Sequence, residues 1–227
     1  MELHLFSSPG VAGIEYVVDA FRPYLRREGA SVLAYIPAAS ANAAAYYGYT
    51  QKAFSGVGEV RLIDVTTSTP SDFAESLRGA DAVCLPGGNA YLMAHRLHRQ
   101  GYWEHLRDRV VTGLPVIAFS AGTVLCGASM LTSNDIDEWG LADSAGLRLV
   151  PWSFNVHYPA EASARAKRDS FLNAQVAAGR ESVCALEDGA HLEAGDTRLT
   201  LVRGRCWLFC RGQKPRPFEG GVDLNSV

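Results

Sequence analysis

The 227-residue chain predicts an α/β fold built on a mainly parallel sheet, with a small antiparallel portion near the C-terminus. Three observations carry that prediction. Short apolar runs alternate with segments of roughly 10–15 residues at helical spacing, the rhythm of βαβ units, which lay strands side by side in parallel. Two turn-forming segments, Pro86-Gly87-Gly88-Asn89 and Ser120-Ala121-Gly122, directly follow such runs, and sites in parallel sheets lie beyond the carboxyl ends of the strands. After Ser153 the rhythm changes, and Leu199 to Cys210 alternates like an arm of an antiparallel hairpin.

Taken in order, Leu3 to Ser7 reads as a buried strand closed by Ser8-Pro9-Gly10. Ile14 to Arg27 carries Ile14, Val17, Val18, Phe21 and Leu25 at helical spacing and ends near Gly29. Ser31 to Ile36 is a second strand, Ala43 to Phe54 a helix and Val60 to Val65 a third strand. Thr69-Pro70-Ser71-Asp72 starts a helix that runs through Leu77, since proline suits the first helical turn. Ala80 to Leu85 is a fourth strand; Tyr91 to Gln100 and Trp103 to Thr112 are helices; Pro115 to Phe119 is the fifth strand. Beyond Ser153, Glu161 to Ala178 is helical and Ser182 to Leu186 a short strand, with the tail after Gly212 read as loop. With no repeat, linker or low-complexity block, residues 1–227 read as one domain.

Composition narrows the functional classes. Nearly half the residues are apolar and the net charge is −3, which argues against disorder and against a nucleic-acid partner. Five cysteines lack the C-x-x-C spacing of metal or redox sites, and Cys84 and Cys126 sit in apolar runs as free thiols. The first residues carry neither a basic leader nor a long apolar stretch, so no membrane association is expected and the cytoplasm is the expected location. Trp139, Trp152, Trp207 and Phe209 are read as core rather than interface, with a homodimer left open.

The chemistry centres on Val116-Ile117-Ala118-Phe119-Ser120-Ala121-Gly122-Thr123. An apolar run ends in a serine among small residues before a helical segment, the layout of a nucleophile elbow; Gly122 fits the second glycine of G-x-S-x-G, while Ala118 replaces the first. The alternative is a serine that merely caps a helix. A serine nucleophile needs a base. Of six histidines, His157 stands at the end of the extended run Phe154-Asn155-Val156-His157-Tyr158-Pro159, downstream of the elbow. An acid should orient that imidazole; Asp135 in Thr132-Ser133-Asn134-Asp135 and Asp188 in Leu186-Glu187-Asp188-Gly189 both qualify, and spacing does not choose between them. The N–H groups at Gly87-Gly88-Asn89, with that of Ala121, suit an oxyanion hole; a phosphate loop is the rival, but G-x-G-x-x-G and G-K-[ST] are absent. Arg165 and Arg168, one helical turn apart, suit a substrate carboxylate.

Gly87-Gly88-Asn89, Phe119-Ser120-Ala121-Gly122, Thr132-Ser133-Asn134-Asp135 and Asn155-Val156-His157, taken together and in that order, resemble the peptidase E (aspartyl dipeptidase) family of serine peptidases, whose wider group includes cyanophycinases. The resemblance implies a sheet flanked by helices on both faces, as in class I glutamine amidotransferases, with serine in place of the elbow cysteine. It implies Ser120 as nucleophile, His157 as general base, Gly88 and Ala121 as oxyanion donors, and Asp135 or Asp188 as the third residue. Asn89, Arg165 and Arg168 would bind substrate. The implied reaction is hydrolysis of small peptides, dipeptides with an N-terminal aspartate, without metal or cofactor. Two other readings keep the fold: the same triad acting on isoaspartyl or cyanophycin-like peptides, and a non-catalytic small-ligand binder. This chain departs from the pattern of the family it resembles at Ala90-Tyr91, where Thr-Phe is frequent.

Overall fold

The computed structural model describes residues 1–10, 13–25, 31–41, 43–195 and 198–226. The chain runs β1 (Leu3–Phe6), α1 (Gly13–Phe21), β2 (Val32–Tyr35), α2 (Ala43–Phe54), β3 (Glu59–Leu62), α3 (Pro70–Arg78), β4 (Ala82–Leu85), α4 (Ala90–Arg99), α5 (Trp103–Val111), β5 (Val116–Phe119) and α6 (Ala121–Cys126). It continues with β6 (Ser153–Asn155), α7 (Ala162–Ala177), β7 (Val183–Leu186), β8 (His191–Ala194), β9 (Leu199–Arg203), β10 (Arg205–Phe209), β11 (Arg216–Glu219) and β12 (Val222–Asp223).

Eight strands form one sheet in the order β12-β9-β8-β1-β5-β4-β2-β3. β1, β5, β4, β2 and β3 are mutually parallel, while β8, β9 and β12 continue the sheet antiparallel. β1, β5, β4 and β2 are buried on both faces, with β3 the partly exposed edge strand, and period-two alternation divides their side chains between two cores. Leu3, Leu5, Val83, Leu85, Val116 and Ala118 join the core built with α3 to α6. Phe6, Leu33, Tyr35, Cys84 and Ile117 join Val17, Val18 and Phe21 of α1 and Phe54 of α2 on the other face. The mixed α/β fold with helices on both faces is therefore the one the sequence implies.

Local chemistry accounts for most boundaries. The start of α3 is a capping box: Thr69 Oγ1 accepts the Asp72 N–H while Asp72 accepts the Thr69 N–H, with Pro70 following the cap. The first helix is not continuous over its expected length; α1 gives way to a 3-10 turn at Arg22–Leu25, because Pro23 has no N–H for the α-helical ladder. Its expected end at Arg26, Arg27 and Gly29 lies outside the described residues. β3 is shorter than the expected run to Val65: Asp64 accepts the N–H groups of Thr66 and Thr67 and turns the chain out of the ladder.

The C-terminal third departs most from expectation. A second sheet, β11-β10-β7-β6, holds β10 antiparallel to β7 and β11 and β6 parallel to β7. One of its faces adds Phe154, Cys184, Cys206 and Leu208 to the main core; the other packs Val183, Ala185 and Phe209 against Leu172 and Val176 of α7. Leu199 to Cys210 is thus not one hairpin arm. β9 belongs to the large sheet and β10 to the small one, and the chain crosses at Gly204, whose φ is +78° and where a Cβ would lie 2.7 Å from Ala190 Cα. Nor is the tail a loop, since it forms the edge strands β11 and β12; Pro217 is tolerated in β11 because an edge strand can spare an N–H. Phe209 is buried, and Trp139, Trp152 and Trp207 pack partly buried against the cores.

One polar cluster lies inside the sheet. His4 Nδ1 meets His191 Nε2 at 3.1 Å, and His191 Nδ1 meets Tyr16 Oη at 2.9 Å, with Arg198, Arg203 and Glu193 nearby. Burial holds both rings neutral, aided by Arg198 beside His4 and by His4 beside His191, and lowers His4 to about 4 and His191 to about 3. As pH falls below the ordinary histidine range near ~6.5, the unfolded chain takes up protons at these positions and the folded chain does not. Stability should therefore fall steadily from about pH 6.5 toward pH 4. Thermal melts across that range should show a shallower slope for His191→Gln than for the parent chain; equal slopes would contradict this assignment.

Candidate active site

The topology brings four chain segments to one edge of the large sheet. β1 and β5 are in parallel register from Leu3↔Val116 to Phe6↔Phe119, so Ser7 and Ser120 emerge side by side. β4 pairs Leu85 with Ala118, which sets Pro86-Gly87-Gly88 beside them. β8 runs antiparallel to β1 with His191 opposite Phe6, so the turn that precedes it, at Asp188, arrives at the same edge. His157 enters from the second sheet, two residues beyond β6.

Ser120 has φ +48° and ψ −108° between β5 and α6, the strained turn of a nucleophile elbow. Such backbone costs about 1–3 kcal/mol and persists only where surroundings over-determine it. Here the Ser120 N–H donates to Phe6 O at 2.9 Å and its carbonyl accepts from Val124 N–H at 3.0 Å. A Cβ at Gly122 would lie 2.2 Å from Leu85 O, so α6 can pack this closely on β4 only with glycine there. Ala118 needs no such allowance: it is a strand residue whose methyl joins the core.

Ser120 Oγ lies 2.8 Å from His157 Nε2, and His157 Nδ1 lies 2.7 Å from Asp188 Oδ1. His157 also has a positive φ, +54°, and is held by its flanks: its N–H donates to Ser7 Oγ at 2.8 Å, Tyr158 N–H donates to Leu186 O, and Asn134 Nδ2 donates to Val156 O. The Ser7 hydroxyl in turn donates to Asp188 Oδ1 at 3.2 Å. Partial burial works against the Asp188 charge, but hydrogen bonds from His157, Ser8 and Ser7 and the attraction of the imidazole outweigh it and keep the carboxyl below its ordinary value. Asp188 is therefore ionised at neutral pH and able to stabilise a protonated imidazole.

Asp135 is placed elsewhere. Its Oδ2 accepts from the Ala90 N–H at 2.8 Å and from Ser133 Oγ at 2.9 Å, so it caps α4. Asn89 shares that task as the N-cap residue, accepting from the Leu92 N–H at 3.0 Å and donating to Ile136 O. Gly88, with φ +141°, passes so close to Ala39 that a Cβ would lie 2.2 Å from its carbonyl oxygen. A Cβ built on Gly87 would stand 3.4 Å from Ser120 Cβ and 4.0 Å from Ser120 Oγ, so the Gly87 backbone passes beside the Ser120 side chain. A cavity of about 1070 Å³ opens here, lined by Ser7, Gly87, Gly88, Ser120 and His157 and continuing over Tyr35 toward α1 and α2.

Neither expected arginine lines that cavity. Arg165 donates to Ala160 O and stacks over Trp207 at 4.4 Å, and Arg168 donates to Asn155 Oδ1 at 2.8 Å. Both are spent on the second sheet, because α7 covers its far face. The basic side chains that do line the cavity are Arg22 and Lys52. Sequence reasoning passed over them, and it read Ser7 only as the end of a strand; their position on α1, α2 and β1 becomes visible only once the sheet order is known. Among the described residues, His4, His191 and Glu193 offer ligand atoms within 4.8 Å of one another, close enough to share an ion, within the buried histidine cluster.

Comparison with known proteins identifies the family. Peptidase E of Shewanella sp. (strain W3-18-1) is 27% identical over 98% of this chain and 97% of its own length. Peptidase E of Streptomyces coelicolor is 30% identical, covering 94% of this chain and 88% of its own. A peptidase from an acI-B1 Actinobacterium, 14% identical, shares the fold with a TM-score of 0.73 over 98% of this chain and 96% of that one. The family model of Peptidase family S51 matches residues 3–202. The resemblance drawn from four short motifs thus extends over nearly the whole chain, which belongs to peptidase family S51.

Proposed function

We propose that this S51 peptidase is a serine-type dipeptidase whose triad is Ser120, His157 and Asp188. The observation that carries the reading is the unbroken chain of hydrogen bonds from Ser120 Oγ through both imidazole nitrogens to the Asp188 carboxylate. In the acylation step Ser120 Oγ attacks the scissile carbonyl and His157 Nε2 takes its proton. The developing oxyanion is met by the N–H groups of Gly88 and Ala121. The imidazolium, stabilised by Asp188, then protonates the leaving amine and the C–N bond breaks. Water enters, loses a proton to His157 and attacks the acyl-enzyme; return of that proton to Ser120 Oγ releases the acid product.

The finer reading, taken from the family resemblance, is an aspartate at the N-terminal position. With Arg165 and Arg168 turned toward the second sheet, we assign the cation for its side chain to Arg22 or Lys52, which line the same cavity as Ser120. The cytoplasm is the proposed location: Cys184 and Cys206 are buried, neighbouring free thiols, a pair that a reducing compartment keeps unoxidised.

Replacing the triad members should leave the fold intact and remove turnover, by roughly 10⁶-fold for Ser120→Ala and about 10⁴-fold for Asp188→Asn. Asp135→Ala should instead lower stability by about 0.5–2 kcal/mol, the cost of a lost cap, with kcat retained in the folded fraction. If Asp135→Ala rather than Asp188→Asn abolished kcat, the acid would be misassigned.

Specificity is checked with Asp-Leu, Glu-Leu, Leu-Leu and N-acetyl-Asp-Leu. Asp-Leu should be hydrolysed preferentially, and either Arg22→Gln or Lys52→Gln should lower its kcat/KM by about tenfold or more, with Arg165→Gln unchanged. Equal turnover of Asp-Leu and Leu-Leu would overturn the aspartate reading while leaving the triad standing.

A further inference from the structure

Ser7, the first residue beyond β1, is fully buried, and its hydroxyl sits between two side chains that come from different sheets. A backbone N–H can only donate and an ionised carboxylate can only accept, so the direction of both its bonds is fixed. The oxygen accepts from the His157 N–H at 2.8 Å, and its single hydrogen goes to Asp188 Oδ1 at 3.2 Å. Asp188 Oδ1 is also the atom that His157 Nδ1 meets at 2.7 Å. The three groups therefore close a ring, from Ser7 to the carboxylate, from the carboxylate to the imidazole, and through the backbone of His157 back to Ser7.

A serine at a strand end ordinarily bonds a backbone group a few residues away; here the partners are 150 and 181 residues distant in sequence. The ring also joins groups of unequal freedom. The His157 and Asp188 side chains are 45% and 59% exposed, and an ion pair that exposed does little by itself to hold its own geometry. Ser7 is fixed: its N–H donates to Ala190 O at 3.3 Å, and β1 behind it is paired on both sides. A hydrogen bond given to a carboxylate also favours its charged form, and Ser7 is one of the donors, after His157 and Ser8, that keep Asp188 below its ordinary value.

We propose that Ser7 is a positioning residue for the hydrolytic reaction: its hydroxyl ties Asp188 and the His157 backbone into one unit, so that the imidazole stands between Ser120 and the carboxylate before substrate binds. The inference rests on the peptidase reading above and adds to it a residue that acts through the triad rather than on the substrate. Removing the hydroxyl takes the acceptor from the His157 N–H and one donor from Asp188 in a single step. A displacement of about 1 Å in a catalytic group can cost on the order of 10²-fold in rate.

The test compares Ser7→Ala and Ser7→Cys with the parent chain on the dipeptide it hydrolyses fastest. Alanine deletes the hydroxyl, whereas cysteine fills the same space with a weak donor and acceptor. Both should lower kcat by about 10- to 100-fold, the scale of one hydrogen bond to a charged group, with KM within about threefold of the parent and Ser7→Cys melting close to it. Adding Ser7→Ala to Asp188→Asn should cost less than about threefold more, because residues that act as a unit are not additive. Parent-like kcat in Ser7→Ala, full activity in Ser7→Cys, a loss confined to KM, or a fully multiplicative loss in the Asp188→Asn background would each overturn the proposal. Covalent labelling of Ser120 by a fluorophosphonate reads the same unit without a peptide. Labelling that slows tenfold or more in Ser7→Ala supports the positioning role even if no peptide is turned over, which would sink the peptidase reading alone. Equal labelling of both chains, or none of either, overturns the proposal.

Discussion

The position of β1 between β5 and β8 is the constraint on which the rest of the site depends. β1 is only four residues long, yet it pairs in parallel with β5 on one side and antiparallel with β8 on the other. Because Phe6 stands opposite both Phe119 and His191, the chain leaves the sheet at Ser7 level with Ser120 and with the turn that carries Asp188. A slip of one residue in either pairing would send alternate side chains to the wrong core, with Leu3 and Leu5 exchanged for His4 and Phe6. Hydrophobic burial on both faces thus fixes a register whose by-product is the alignment of three polar side chains at one edge.

In the hydrogen-bonded series Ser120–His157–Asp188, His157 is the member not carried by that sheet, and its N–H is held by the Ser7 hydroxyl. The hydroxyl accepts from the His157 backbone and donates to Asp188, so one buried oxygen sets both the height of the imidazole and the orientation of the carboxylate that steers it. Two positive-φ residues, Ser120 and His157, face each other across a 2.8 Å contact. Ser120 is held by its N–H on Phe6 O of β1 and His157 by its N–H on the Ser7 hydroxyl, which is how strained backbone persists here.

Much of this was legible in the sequence, and for identifiable reasons. Ser120 and Gly122 announce the elbow because strain and close packing on Leu85 admit few residue types. The first helix is visible through the spacing of Ile14, Val17, Val18 and Phe21, and the helix through Leu77 through the proline at its start. What could not be read was anything set by long-range partnering. Asp135 and Asp188 are both acids in turns, and only the meeting of β8 with β1 puts one of them on the imidazole. Arg165 and Arg168 lie close to His157 in sequence, but α7 covers the far face of a second sheet that local patterning could not announce. Alternation in Leu199 to Cys210 correctly reports strands, yet periodicity says which faces are buried and nothing about which neighbour a strand takes.

The crossing at Gly204 has a consequence for how this molecule opens. β9 and β10 are joined without a linker, one in each sheet, and the junction presses on the backbone of Gly189 and Ala190, immediately beyond Asp188. Neither sheet can loosen without pulling on the other, so the two should exchange their amide protons with solvent as one cooperative unit rather than as separate modules. The turn bearing the acid sits on that seam. A fluctuation that parts the sheets therefore also strains the contact between His157 and Asp188.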